Sequence, residues 1–212
     1  FSTNSNACGP CPQTLAAVQQ ADATRYPDPS YTALRADLAA FHSVLPERIV
    51  LAASASEFIH RITALVAQRG ACAGALPADG YGDYAQAAQV RGLQLLRPED
   101  AGYRAGGLHG ACEQSSPLGG ADPALAAWPG AAPTAATRIV DCAYQPLRLH
   151  SSHAPELHSS AWQLWTPNKA LGLTGVRAAY AIAPAGAELD VAALNALAPS
   201  WPVGAHGVAM LH

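Results

Sequence analysis

Apolar positions recur at helical spacing in some stretches of the chain and form short continuous runs in others. The pattern predicts an amphipathic helix over Pro12–Gln20 and a second helix over 30–42, where Ser30 is a suitable N-cap. Further helices are predicted at 57–68, 81–91 and 189–197, and buried strands at 48–51, 71–76, 138–141, 162–165 and 176–183. Alternating strands and helices predict a three-layer α/β/α fold whose sheet is mainly parallel and has right-handed crossovers.

Composition and charge exclude several classes of protein. The 212 residues are 50% hydrophobic and 13% charged, with a formal net charge of −3. No basic stretch indicates binding to nucleic acid or to an anionic membrane surface. No apolar run reaches the roughly 18 residues of a membrane span. The length favours one large domain, and we expect a cytoplasmic protein.

The cysteine and histidine patterns predict neither a redox site nor a metal site. The five cysteines are an odd number at irregular spacing, which is not a disulfide framework and agrees with a reducing compartment. The letters Cys8-Gly-Pro-Cys11 match a dithiol redox motif, but that chemistry needs a buried strand upstream, where only seven mostly polar residues precede Cys8. His150, His153 and His158 cluster on a polar stretch without a metal-ligand offset, so no metal site is predicted.

Lys169 is the only lysine of the chain, whereas the other eleven basic residues are arginines. A lysine amine can lose its proton when it is desolvated and attack a carbonyl carbon, which a guanidinium cannot do. The surrounding residues predict a strand, a turn spaced by Gly172 and Gly175, and another strand. Lys169 is therefore expected at a strand end, with Arg177 at the start of the next strand.

The segment TPNKALGLTGVRAAYAIA resembles the lysine segment of the class I/II aminotransferases, which are fold-type I enzymes that use pyridoxal 5'-phosphate (PLP). The histidinol-phosphate aminotransferase and threonine-phosphate decarboxylase branch is the most similar. The resemblance implies that Lys169 holds PLP through a Schiff base and that Arg177 binds its phosphate. It also implies that Thr166 and Asn168 contact the cofactor.

The same resemblance extends to residues expected around the cofactor ring. In Asp141-Cys-Ala-Tyr144, Asp141 would face the pyridine nitrogen and keep it protonated, and Tyr144 would bond the phenolic oxygen. Tyr81 matches a tyrosine that stacks on the ring, since an aromatic face holds the ring and leaves its edges accessible. Ser116 stands where the family has an asparagine. Each of these residues could otherwise be structural, as a strand-end cap or an aromatic at the edge of the core.

Phosphate binding is predicted where a strand, a loop of small residues and a helix follow one another. A helix N-terminus offers backbone N–H groups and a partial positive charge. In register with the family's glycine-rich loop, Ser54, Ala55 and Ser56 take the phosphate-binding positions, although Ala52 and Ser54 replace its glycines. If those positions required positive φ, the replacements would cost roughly 1 kcal/mol each. In the family, the tyrosine that matches Tyr26 reaches the cofactor of a neighbouring subunit, which implies a homodimer with shared sites.

The resemblance implies a PLP-dependent aminotransferase that acts on an amino acid or a phosphorylated amino compound. The alternatives are a decarboxylase like the threonine-phosphate enzyme of cobalamin biosynthesis, and a shortened relative without catalytic activity. Because the family is much longer, we expect an N-terminal arm and first helix at 1–29 and a PLP-binding large domain at 30–200. Residues 201–212 would begin a small C-terminal domain that is largely missing.

Overall fold

A computed structural model describes residues 4–76, 80–97, 107–115, 119–126, 128, 136–149 and 159–212. The helices are α1 (Pro12–Gln20), α2 (Thr32–His42), α3 (Ala55–Gln68), α4 (Gly82–Val90), α5 (Pro123–Ala126), α6 (Glu188–Ala196) and α7 (Ala205–Leu211). The strands are β1 (Ile49–Ala52), β2 (Ala73–Ala75), β3 (Gln94–Leu96), β4 (Gly107–Cys112), β5 (Ala136–Asp141), β6 (Trp162–Trp165) and β7 (Ala179–Ile182). Short 3-10 turns occupy Pro46–Arg48 and Gln145–Leu147.

The seven strands belong to a mixed, mainly parallel sheet, so the predicted α/β fold is confirmed. By compactness the chain divides into two units. The first unit comprises Phe1–Phe58 and Trp165–His212, and the second comprises Ile59–Leu164. The predicted division into an arm and two domains stays a prediction. None of the helices among the described residues has both the length and the apolar character needed to cross a bilayer.

In the first unit, an antiparallel pair of buried strands forms the centre. β1 pairs with β7, with Ile49 opposite Ile182, and every residue of both strands is buried. α7 packs against α1 and α2. Tyr31, at the start of α2, donates its buried hydroxyl to the carbonyl of Val203 at 2.8 Å. This bond ties the segment before α7 to α2, because a buried hydroxyl without an acceptor is costly.

In the second unit, five parallel strands lie in the order β6, β5, β4, β2, β3. In the registers of these strands, Cys112 lies opposite Asp141, and Asp141 lies opposite Leu164. Carboxyl ends of neighbouring parallel strands meet at one edge of the sheet, where α/β proteins bind their ligands. The fold therefore places Asp141 and the residues after β5 at the edge where a site is expected.

Several local features differ from the sequence predictions. β3, β4 and α5 lie where no strand or helix was predicted, and β7 begins at Ala179 and not at 176. α2 begins at Thr32 and not at Ser30, because the Asp28 carboxylate accepts the N–H groups of Ser30 at 3.0 Å and Thr32 at 2.7 Å. Those two hydrogen bonds make a turn that delays the helix. α7 was not predicted, since its seven residues include Gly207 and give little periodic signal.

Candidate functional site

Lys169 lies on a tight turn that follows β6, four residues after the strand ends. Backbone hydrogen bonds close the turn: the N–H of Leu171 donates to the carbonyl of Pro167 at 2.9 Å, and that of Leu173 to Asn168 at 2.8 Å. Lys169 is half-buried. The expected strand and turn around the lysine are therefore present, and the side chain lies in a partly desolvated position rather than fully in solvent.

The N-terminal segment holds this turn from outside. The backbone N–H of Asn6 donates to the Lys169 carbonyl at 2.9 Å, and its side-chain amide donates to the Ala170 carbonyl at 3.0 Å. Gly172 has φ +66°, and a Cβ there would lie 2.5 Å from the carbonyl oxygen of Gly9. Only glycine fits this close approach without displacing the backbone. The lysine turn is thus fixed by contacts 164 positions away in the sequence.

Thr166, three residues before Lys169, carries a buried hydroxyl that has no hydrogen-bond partner among the described residues. Its residue is only 6% exposed. The side-chain oxygen of Asn168 is also buried and has no hydrogen-bond partner among the described residues. Its side-chain nitrogen donates to the Val176 carbonyl at 3.3 Å. Buried polar atoms are normally satisfied by protein groups or ordered water, so these two oxygens are open to a water or to a polar ligand.

The N-terminus of α3 forms a capped end next to the predicted phosphate-binding loop. The hydroxyl of Ser54 accepts the N–H of Glu57 at 3.1 Å, and the Glu57 carboxylate accepts the N–H of Ala53 at 3.3 Å. This arrangement resembles a capping box and fixes the helix start at Ala55. In residues 4–76 the non-glycine residues with positive φ are Tyr31 and Ser43, so Ala52 and Ser54 replace the family's glycines without that strain.

Arg177 and Tyr26 are the exposed members of the predicted set in the first unit. Arg177 lies two residues before β7, so it precedes the strand that it was expected to begin. Tyr26 is 77% exposed, and its ring stacks on Trp201 with centroids 4.5 Å apart. The indole N–H of Trp201 donates to the Pro27 carbonyl at 3.0 Å, which fixes the stacked pair at the surface.

In the second unit, Asp141 ends β5 with its carboxylate held at both oxygens. One oxygen accepts the N–H of Ala143 at 3.0 Å, and the other accepts the hydroxyl of Tyr84 at 3.4 Å. Burial, followed by the charge of Asp141, raises the pKa of the Tyr84 phenol well above its usual value. Tyr84 is therefore a hydrogen-bond donor to an acidic strand end. Sequence reasoning did not assign it a role.

The remaining predicted residues of the second unit lie near the same strand ends. Tyr144 is half-buried three residues after Asp141, and its carbonyl accepts the N–H of Leu147 at 2.9 Å. Tyr81 precedes α4 and lines a cavity of about 130 Å³ together with Tyr84 and residues 110–112 of β4. Ser116 lies outside the described residues.

Cys8 and Cys11 are free thiols on the segment that holds the lysine turn. Cys11 precedes α1, and a hydrogen bond from the Thr14 side chain lowers the pKa of its thiol. The described residues before Cys8 contain no strand. The strand–dithiol–helix order of the redox motif is therefore not present in residues 4–20. His150, His153 and His158 lie outside the described residues.

No protein-family model and no curated protein matches this sequence. Solved structures, in contrast, do match this chain. A protein from Erwinia carotovora atroseptica, provisionally described as a histidinol-phosphate aminotransferase, has a TM-score of 0.81 and 25% identity over 98% of this chain and 66% of its own. For the histidinol-phosphate aminotransferase of Sinorhizobium meliloti, solved with PLP, the TM-score is 0.81 and the identity 22% over 98% of this chain and 61% of its own.

The L-threonine-O-3-phosphate decarboxylase of Porphyromonas gingivalis has a TM-score of 0.79 and 17% identity over 100% of this chain and 67% of its own. The chain thus spans about two thirds or less of the first two of these neighbours. The structural neighbours of this chain are therefore histidinol-phosphate aminotransferases and threonine-phosphate decarboxylase-like PLP enzymes, whose fold it shares.

Proposed function

We propose that this chain binds PLP through Lys169 and catalyses transamination of an amino acid or a phosphorylated amino compound. The observation that carries the proposal is the lysine turn, which holds the only lysine of the chain close in sequence to two buried oxygens that lack partners among the described residues. That donor and acceptor set fits a phosphorylated aldehyde. Among the structural neighbours, one was solved with PLP.

The proposed contacts of the phosphate come from three segments of the chain. Thr166 offers a buried hydroxyl, Ser54 before α3 and Ala55 and Ser56 at its start offer backbone N–H groups, and Arg177 offers a guanidinium. The N-terminal end of a 14-residue helix carries a partial positive charge that favours an anion. The side-chain amide of Asn168 would hold the turn through its hydrogen bond to the Val176 carbonyl, and its buried oxygen is the second atom without a partner among the described residues.

Three residues are the proposed contacts of the ring. Asp141 would accept a hydrogen bond from the protonated pyridine nitrogen, Tyr144 would bond the phenolic oxygen, and Tyr81 would stack on the ring face. When bound, PLP supplies an electron sink for charge that develops at the substrate's α-carbon. Lys169 would take the proton from that carbon and deliver it to the aldehyde-derived carbon of the cofactor, which is the proton transfer that transamination requires.

Decarboxylation is the second candidate function, because a threonine-phosphate decarboxylase is among the structural neighbours. The same residues would bind the cofactor, and the substrate would lose its carboxylate instead of a proton. A relative that binds PLP without turnover is the third. Tyr26 is exposed and would reach the cofactor of a second copy, so the proposal includes a homodimer with shared sites. The cytoplasm remains the predicted compartment.

Borohydride trapping tests the proposal at one side chain. Lys169 is the only lysine of the sequence, so its side chain and the α-amino group are the primary amines that PLP can modify. Reduction with PLP present should leave a phosphopyridoxyl group on the peptide that contains Lys169. Lys169→Ala should lose that adduct, and Lys169→Arg, which keeps the charge, should lose it as well. An unmodified Lys169 peptide at saturating PLP would contradict the proposal.

Turnover is separated from binding by the products. Amino acids and their phosphorylated analogues added to the PLP-loaded protein should give a keto product with transfer of the amino group, or carbon dioxide in the decarboxylase case. A loaded protein that releases neither product with any of these compounds supports the non-catalytic alternative.

A further inference from the structure

We propose that Tyr84 is a positioning residue that holds the carboxylate of Asp141 in the orientation needed to face the cofactor ring. The inference rests on the proposed function, since it assigns a task to Asp141. The inference goes beyond the proposed function because it adds a residue of α4 to the site. The contact joins two residues that are 57 positions apart: Tyr84, a buried residue of α4, and Asp141, the last residue of β5.

The geometry restricts the carboxylate in two ways. An aspartate carboxylate rotates over a broad range about its terminal torsion unless its oxygens are bound. Here one oxygen accepts the N–H of Ala143 at 3.0 Å and the other accepts the Tyr84 hydroxyl at 3.4 Å. A backbone donor and a side-chain donor on separate elements therefore fix the carboxylate plane. Asp141 is 8% exposed and Tyr84 4% exposed, so water competes little for either bond.

The polarity of the bond favours an ionised acid. Burial raises the pKa of the Tyr84 phenol, and the charges of Asp141, Cys112 and Cys142 add to the increase, so the phenol keeps its proton. A protonated phenol can donate to the carboxylate, and hydrogen bonds donated to a carboxylate favour its charged form. A charged Asp141 is the form that a protonated pyridine nitrogen requires.

Tyr81 and Tyr84 differ in what they can do, although both line the same cavity. Tyr81 is 47% exposed and precedes the first residue of α4, where its ring is accessible to a ligand. Tyr84 lies about one turn further on and is buried, as are Ala87 and Ala88. Tyr84 therefore acts through Asp141 and makes no contact with the ring in this proposal.

The hydrogen bond itself can be tested without cofactor. In protein labelled with ¹³C at the tyrosine ζ carbon, the Tyr84 resonance is identified by its loss in Tyr84→Phe. Asp141→Asn should move that resonance and shift the onset of its titration to lower pH, because the carboxylate no longer opposes formation of the phenolate. A Tyr84 resonance that is unchanged in Asp141→Asn overturns the contact.

The positioning role is tested by cofactor affinity. Tyr84→Phe keeps the ring and removes one hydroxyl, and we expect about tenfold weaker PLP binding, the low end for a bond to a charged group because 3.4 Å is long. We also expect a shifted absorption maximum of the bound cofactor. Tyr31→Phe is the matched control: it removes an equally buried hydroxyl that bonds Val203, so it should lower thermal stability and leave PLP affinity unchanged.

The outcomes separate this inference from the proposed function. If Tyr84→Phe and Tyr31→Phe both bind PLP like the wild type and with its spectrum, Tyr84 has no positioning role, while the proposed function stands. If the wild type does not bind PLP, the proposed function fails and the role of Tyr84 fails with it. Circular dichroism of both variants at equal temperature identifies any loss of affinity that comes from unfolding alone.

Discussion

At the scale of single residues, we predict that substitution of Thr166 changes the stability of the protein and its affinity for PLP in opposite directions. Its buried hydroxyl lacks a partner among the described residues, and such a group costs about 1–3 kcal/mol. Thr166→Val keeps the branched shape and removes the hydroxyl. We therefore expect the protein without cofactor to have a higher thermal midpoint, and the affinity for PLP to fall because one phosphate ligand is gone.

The control for this prediction is Thr63→Val in α3. Thr63 is fully buried, but its hydroxyl donates to the Ile59 carbonyl at 2.7 Å. Removing a satisfied hydroxyl should lower or leave unchanged the thermal midpoint, and it should not alter PLP affinity. Equal behaviour of the two valine variants, in calorimetry and in PLP titration, would mean that the Thr166 hydroxyl is not held ready for a ligand.

Residue identity alone could not separate the two glycines of the lysine segment. Gly172 has positive φ and faces the Gly9 carbonyl, whereas a Cβ on Gly175 would meet nothing within 4 Å. The sequence presents both as equal parts of one motif. The difference depends on the N-terminal segment, whose contact with the turn is invisible to any local pattern.

At the scale of elements, the turn after β4 depends on a buried ion pair. Glu113 is 1% exposed, pairs with Arg148, and donates its backbone N–H to the Asp141 carbonyl at 2.9 Å. Arg148→Met removes one partner and leaves the carboxylate buried, which typically costs about 3–5 kcal/mol. We expect a loss near the lower value in urea unfolding, because the Arg148 side chain is 22% exposed and part of the site is hydrated.

The double variant Glu113→Gln/Arg148→Met tests whether the cost comes from the unpaired charge. It should regain most of the lost stability, since no buried carboxylate remains. Additive losses in the cycle would contradict a direct coupling between the two side chains.

Helix boundaries were predictable where a local signal sets them. Proline at the first helical position starts α1, and the prediction of Pro12–Gln20 is confirmed. For α2 the predicted cap was Ser30, whereas in the structure the Asp28 carboxylate turns back onto the chain and accepts the N–H groups of Ser30 and Thr32. α7 depends on packing against α1 and α2, which a seven-residue segment does not reveal by itself.

At the scale of the whole molecule, the alternation of predicted strands and helices was sufficient to predict the fold class, although β3, β4, α5 and α7 were not predicted individually. The strand and turn around Lys169 were also predictable, since their residues are neighbours in sequence. The contact of Tyr84 with Asp141 was not, because it joins a helix and a strand that are 57 positions apart. All of the site assignments remain predictions, and Ser116 lies outside the described residues.

Binding of PLP should raise the stability of the whole chain, and the size of the effect depends on which groups hold the ligand. A ligand at 100 times its dissociation constant stabilises a folded protein by about 2.7 kcal/mol, which in a chain of this length raises the thermal midpoint by roughly 5–10 °C. Pyridoxine 5'-phosphate keeps the ring and phosphate and lacks the aldehyde. At one fixed concentration it should therefore give a smaller shift in the wild type, with no difference from PLP in Lys169→Ala. Equal shifts by both compounds in the wild type would mean that the amine of Lys169 contributes nothing to binding. If instead the shift by PLP survives in Lys169→Ala but falls in Arg177→Ala, the affinity comes mainly from the phosphate.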